Sequence, residues 1–284
     1  MKPVVLNGLS VDIEDWFQVG AFENTIDRKD WDSLIPRVEH NTDAVIALFD
    51  RMGAKGTFFT LGWVAERYPA LIKRIVAGGH ELASHGWDHG RVFQMQPEEF
   101  RRDIRRAKDV LENLGGVAVT GYRAPSFSID TRTPWAHAIL AEEGHVYSSS
   151  VAPVVHDHYG WPESPRFAWK PLAGSAFVEL PVTTAKLRGR TLAAGGGGFF
   201  RLFPYAFSRW AIRQVNGLDQ PAIFYFHPWE IDPDQPRVPN APFKSKLRHY
   251  SRLSAMEGKL ERAIGDFTWG RVDAVAARSV EALA

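Results

Sequence analysis

The spacing of apolar residues divides the chain into short β-branched runs and longer stretches with helical periodicity. Residues 4–13 form an apolar run that predicts a buried strand, and it ends in a cluster of acids. Val45, Leu48, Phe49 and Met52 recur on one helical face over residues 43–52, and Gly53 supplies the stop. Residues 56–61 predict a strand, 69–77 a helix closed by Gly78 and Gly79, and 80–84 a short strand running into His85. The clearest helix is 97–114. Pro97 suits its first turn, Phe100, Ile104, Ala107, Leu111 and Leu114 make its apolar stripe, and Gly115-Gly116 ends it. The pattern continues with strand 120–124, helix 135–143, strands 146–150 and 178–182, helix 205–215 and strand 222–227. A long helix over 244–264 and a last strand over 267–272 complete it.

Strands that alternate with helices imply a parallel sheet with helices outside it, an α/β protein. Seven or eight strands over about 250 residues predict a (β/α) barrel, complete or incomplete, in a single domain spanning residues 1–284. The glycine run 195–198 is followed at once by Phe199, Phe200 and Pro204, which predicts a tight ordered loop rather than a hinge.

Composition narrows the function. The 284 residues are 45% apolar and 24% charged, enough for a sizeable core. Lys and Arg number 34 against 33 Asp and Glu, a net charge of +1, which argues against bulk affinity for nucleic acid or anionic membrane. Cysteine is absent, so any metal must be held by His, Asp and Glu. The first residues lack a secretory pattern, and no stretch approaches ~18 consecutive apolar residues. The expectation is a cytoplasmic protein with no stable membrane insertion.

Four polar clusters follow predicted strands, the end of a (β/α) barrel where active sites are built. The first is Asp12-Ile13-Glu14-Asp15, three acids that repel one another unless a cation or shared proton offsets them; taken alone they would equally suit a helix cap. The second is His85-Gly86-Trp87-Asp88-His89. Its histidines, at i and i+4, fall on one side of a helical turn, and two imidazoles with one carboxylate suit zinc or another borderline metal. The third is Arg123-Ala124-Pro125-Ser126, whose arginine could orient a carboxylate. The fourth, His227-Pro228-Trp229-Glu230, places a core histidine or a general acid after the most apolar strand. Together they supply the parts of a metal-assisted amide or ester hydrolysis.

The order of motifs resembles the polysaccharide deacetylases of the NodB-homology superfamily, carbohydrate esterase family four, and most of all their exosortase-associated exopolysaccharide branch. The residues that carry the resemblance are LSVDIEDWFQV (9–19), GHELASHGWDH (79–89), GYRAPSFS (121–128), VYSSSVAPVVHDHYGWP (146–162), GGGGFFRLFPY (195–205), IFYFHPWEIDPDQPR (223–237) and LRHYSRL (247–253). The resemblance implies a distorted (β/α) barrel, often seven-stranded, and removal of N-acetyl groups from N-acetylhexosamine residues of a polysaccharide or its lipid-linked precursor, with a divalent metal, commonly Zn2+. It implies Asp12 as base, His85 and His89 as metal ligands, Arg123 as the residue orienting the base, and His227 as the acid that protonates the departing amine.

Two departures stand out. Family members commonly have adjacent acids in the first motif, whereas Ile13 separates Asp12 from Glu14 and Asp15, so both remain candidate metal carboxylates; Glu14 shares the side of Asp12 if the strand continues. Ser148 stands where relatives usually carry an aspartate. Trp87, Pro125, Trp161 and Trp229 lie beside the motifs as candidate substrate contacts. The expected partner is a carbohydrate and not a nucleic acid. Two other readings remain: hydrolysis of a small cyclic amide or imide, and non-catalytic glycan binding.

Overall fold

The computed structural model describes residues 4–156 and 159–283. Its centre is β1 (Asn7–Ile13), buried at every position, as a strand covered on both faces must be. Parallel to it and in sequence order lie β2 (Thr57–Thr60), β3 (Glu81–Ser84), β4 (Gly121–Tyr122), β5 (Tyr147–Ser148) and β6 (Val178–Glu179). An antiparallel hairpin, β7 (Thr184–Leu187) and β8 (Arg190–Ala193), interrupts the series. The chain then returns to β1 with β9 (Ile223–Phe226) on the edge opposite β2, and with the two-residue β10 (Trp269–Gly270) beside Asn7 and Gly8 on the β2 side, both parallel. The wall curves back on itself. The Thr183 amide donates to the Ile223 carbonyl at 3.2 Å, and the Tyr225 amide to that of Gly195 at 2.8 Å. Seven parallel strands, β1 to β6 with β9, thus form the distorted barrel with helices packed outside.

The helices follow the apolar stripes. The helix Pro97–Gly115 buries Phe100, Ile104, Ala107 and Leu111 and starts with a reciprocal Gln96–Glu99 capping box. On its outer face Arg101 and Arg105 pair with Glu143, at the end of the helix Ala136–Glu142. The helix expected at 43–52 begins five residues earlier, at Val38. The cause is remote: Asp15 Oδ2 accepts the amides of Arg37 and Val38 and caps the helix from across the chain.

One expectation fails. The long helix over 244–264 is broken into Phe243–Tyr250 and Met256–Asp266, with Arg252 in a left-handed conformation between them. The buried Arg201 guanidinium takes the carbonyls of Arg248, His249 and Ser251, acceptors that helical continuation would have used. The glycine run opens a short helix, Gly197–Leu202, rather than only a loop, and Gly196 (φ 126°) lets the backbone press against β9. The hairpin β7–β8 and the short helix Gly62–Arg67 had no clear periodic signal.

Candidate active site

The four clusters converge at the carboxyl ends of β1, β3, β4 and β9. Along β1, alternation sends Asp12 and Glu14 to one side. Asp15 turns away: its oxygens accept the amides of Trp16, Arg37 and Val38. The structure separates the two acids: Asp15 is committed to backbone donors, while Glu14 faces the histidines.

Glu14, His85 and His89 each offer one ligand atom within 4.8 Å of the others. The histidines meet across an irregular turn, not the helical turn their spacing suggested: Gly86 and His89 both have positive φ, 75° and 62°. His85 Nδ1 lies 2.8 Å from the Arg123 carbonyl oxygen, which can only accept, so the proton sits on Nδ1 and the Nε2 lone pair is free. Glu14 Oε2 is buried 2.8 Å from His89 Nε2 and, among the described residues, accepts no well-formed hydrogen bond. An unsatisfied carboxylate oxygen beside two imidazoles is a donor set that fits a divalent cation. Burial pushes the Glu14 carboxyl up, yet His89 and His227 outweigh it and hold it at about 2. Burial lowers His85 to about 4, so it is neutral at pH 7 and free to ligate.

Beside this cluster Asp12 is clamped. Arg123, wholly buried, donates from Nη1 to Asp12 Oδ1 and to Ser10 Oγ, both at 2.7 Å, and from Nη2 to Ser149 Oγ at 2.9 Å. Its guanidinium also lies 4.1 Å from the Phe59 ring centroid. Such multiple anchoring of a buried pair holds the carboxylate in one position.

His227 closes the site from β9. Its Nε2 is 3.5 Å from Glu14 Oε1, and its Nδ1 is 3.1 Å from Glu230 Oε2. Glu230 in turn takes a 2.6 Å hydrogen bond from Arg201 Nε. Burial lowers His227, but Glu14 and Glu230 prevail and raise it to about 9. Burial raises Glu230, but Arg201 and His227 hold it at about 2. Glu230 belongs to the fourth cluster and Arg201 to the glycine-rich motif, but nothing local marks a pair 29 residues apart as a buried unit.

The aromatics divide. Trp229 Nε1 donates to Glu14 Oε1 at 3.2 Å, and its ring stacks between His227 and His249, so it supports the site from within. Trp87 is buried, and the Arg106 guanidinium covers its ring at 3.3 Å. Trp161 packs half-buried on the apolar cluster of Phe100, Tyr122 and Ile139. Pro125 is buried and opens the turn Pro125–Phe127, which brings Phe127 against Tyr225. Ser148 Oγ donates to Ser150 Oγ at 2.7 Å. Asp157 and His158 of the fourth quoted motif lie outside the described residues.

Residues 25–143 match the polysaccharide deacetylase family, and residues 149–277 match a domain of unknown function, DUF3473. The chain carries a polysaccharide deacetylase domain. A Bacillus cereus peptidoglycan-N-acetylglucosamine deacetylase is 30% identical over 96 residues, 34% of this chain and 35% of that one. A chitooligosaccharide deacetylase of Azorhizobium caulinodans is 32% identical over 85 residues, 30% of this chain and 40% of that one. The chain thus spans well under half the length of these curated relatives. In fold, the chain resembles a solved Mycobacterium smegmatis structure described as a polysaccharide deacetylase (TM-score 0.63, 20% identity, covering 100% of this chain and 94% of that one). It also resembles a family 4 pseudoenzyme of Bacillus anthracis (TM-score 0.53, 10% identity, 97% and 66%). Fold alone therefore does not decide activity. The deacetylase match contains His85, His89 and Arg123, the DUF3473 match contains Arg201, His227 and Glu230, and Asp12 and Glu14 precede both. Among the described residues no helix is long and apolar enough to cross a membrane.

Proposed function

We propose that this chain is a metal-dependent N-deacetylase acting on N-acetylhexosamine residues of a polysaccharide or its lipid-linked precursor. The observation that carries the reading is the arrangement around Arg123, whose carbonyl orients His85 while its guanidinium clamps Asp12. Glu14, His85 and His89 would hold the cation, with zinc best suited to two imidazoles and a carboxylate. Such an ion, when bound, polarises the acetyl carbonyl and makes water more acidic. Asp12 accepts the proton of the attacking water, and Arg123 keeps the carboxylate in place. His227, charged beside Glu230, passes a proton to the departing nitrogen as the amide C–N bond breaks and acetate leaves. Trp229 and Glu230 hold that histidine. We read residues 1–284 as one domain, a view supported by β1, which hydrogen-bonds to β2 from the first match and to β9 and β10 from the region of the second.

The test is acetate release from N-acetylated oligosaccharides by protein of known metal content, with and without chelator. Release that disappears on chelation and returns with zinc is the expected result. A metal-loaded protein that releases no acetate from any oligosaccharide would overturn the reading.

A further inference from the structure

Between β1 and the helix Val38–Met52 the chain makes a long excursion over residues 14–37. It stands off from the segment that follows β3, leaving a cleft of about 510 Å3. That volume lies within the usual range for small-molecule sites. Gln18, Gly20, Asn24 and Trp31 line it from the excursion, and Arg91 and Gln94 from the other segment. His89 is also among its lining residues, so the cleft reaches the candidate metal cluster.

Two features describe what the cleft would hold. First, it contains buried donors with nothing to donate to. Gln18 is 3% exposed; its Oε1 accepts the Asp15 amide at 2.8 Å, but among the described residues its Nε2 has no partner. Trp31 is 6% exposed and its Nε1 is likewise unpartnered. A buried N–H left unbonded costs on the order of 1–3 kcal/mol, so the pair is best satisfied by acceptors that a ligand brings. Second, both cleft arginines are already matched. Arg28 pairs with Asp88 at 2.9 Å, and Arg91 with Glu23 at 2.8 Å; both pairs tie the two walls together. A lining with neutral amide and indole donors and charge-paired arginines suits a ligand rich in hydroxyl or carbonyl oxygens and without a charge of its own.

We propose that this cleft is a saccharide subsite, taking an uncharged sugar unit adjacent to the acetamido sugar being hydrolysed. Gln18 Nε2 and Trp31 Nε1 donate to its oxygens. The inference rests on the deacetylase reading and adds to it where the neighbouring residues of the glycan lie and which of them are accepted.

Two variants test it. A Cβ on Gly20 would lie 3.1 Å from Arg91 Nη2, the movable end of a side chain, so Gly20→Phe places a ring in the cleft. Trp31→Phe keeps an aromatic ring and removes only the donor. With metal content checked against wild type, kcat/KM is measured for N-acetylglucosamine and for its oligomers of two to five units. The ratio of the oligomers to the monomer, which has no adjacent sugar, is expected to fall at least tenfold in Gly20→Phe and threefold or more in Trp31→Phe. Ratios that stay within twofold of wild type in both variants overturn the subsite while leaving the hydrolase standing. If metal-loaded wild type releases no acetate from any oligomer, the hydrolase reading falls, and calorimetric binding of the pentamer decides the subsite. Binding that Gly20→Phe weakens tenfold supports it, and binding that is absent or unaltered overturns it. Oligogalacturonate that binds as tightly as the neutral oligomer overturns the preference for uncharged sugar.

Discussion

The Nδ1 of His85 and the main-chain oxygen of Arg123 are 2.8 Å apart, and the side chain of the same arginine grips Asp12 at 2.7 Å. One residue at the end of β4 therefore sets the tautomer of a candidate metal-ligating histidine with its backbone and the position of the candidate base with its guanidinium. The carbonyl contact survives substitution of the side chain, so the two roles are separable by mutation.

Glu14 and Asp15 are neighbours with opposite duties, and titration with zinc should separate them. Glu14→Ala is expected to lower zinc affinity by more than about a hundredfold, above the loss usual for outer partners of a metal site. Asp15→Ala should retain zinc but lose on the order of 1–3 kcal/mol of stability, because it deprives the Arg37 and Val38 amides of their acceptor. Equal zinc loss in both variants would refute the assignment.

Asp12→Asn keeps the shape of the side chain and removes its basicity. The variant should bind zinc like wild type and lose about 10²–10⁴-fold in kcat. Full activity in Asp12→Asn would exclude Asp12 as base.

Glu230 raises His227, so Glu230→Gln should move the alkaline limb of the kcat profile to lower pH. It should also lower the melting temperature, since removing one partner of a buried ion pair costs about 3–5 kcal/mol, here by leaving Arg201 uncompensated. A lower melting temperature with an unmoved limb would make Glu230 structural only.

Acid should weaken the fold through two histidines outside the site. Burial, reinforced by Lys55, lowers His80 to about 4; burial, reinforced by Lys108, lowers His145 to about 3. Both lie below the ordinary value near 6.5, so the unfolded chain binds more protons at mildly acidic pH. Their stabilising contribution is complete above about pH 6.5 and is lost as pH falls toward 4 and then 3, on the order of 1 kcal/mol each by pH 5.5. Urea midpoints at pH 7.5 and 5.5 measure the slope, which His145→Leu should reduce.

Gly196 and Gly198 are two residues apart and should respond oppositely to alanine. At Gly196, φ is 126° and a Cβ would collide with the Tyr225 carbonyl oxygen, so Gly196→Ala should cost about 2 kcal/mol or more. At Gly198 the nearest atom to a new Cβ is Arg201 Nη2 at 3.8 Å, so alanine in this helix should be neutral or stabilising by about 0.5–1 kcal/mol. Thermal melting of the two variants checks the contrast.

The alternation of β1, the stripe of Pro97–Gly115 and the acids and histidines at strand ends were legible in the sequence. They depend on neighbours two to four residues away, and that periodicity directs side chains to a face whatever the rest of the chain does. Barrel class and the identity of Asp12, His85, His89, Arg123 and His227 as candidates follow from it, with the resemblance supplying their roles. The tertiary structure alone turned Asp15 away from the histidines that Glu14 faces, through amides more than twenty residues from Asp15. It alone joined Arg201 to Glu230, broke the long C-terminal helix at the carbonyls Arg201 takes, and turned Trp87 under Arg106. In each case a buried polar group or ring had to find its partner, and the partner lies far along the chain. Local pattern directs a side chain inward; only the assembled barrel determines what meets it there.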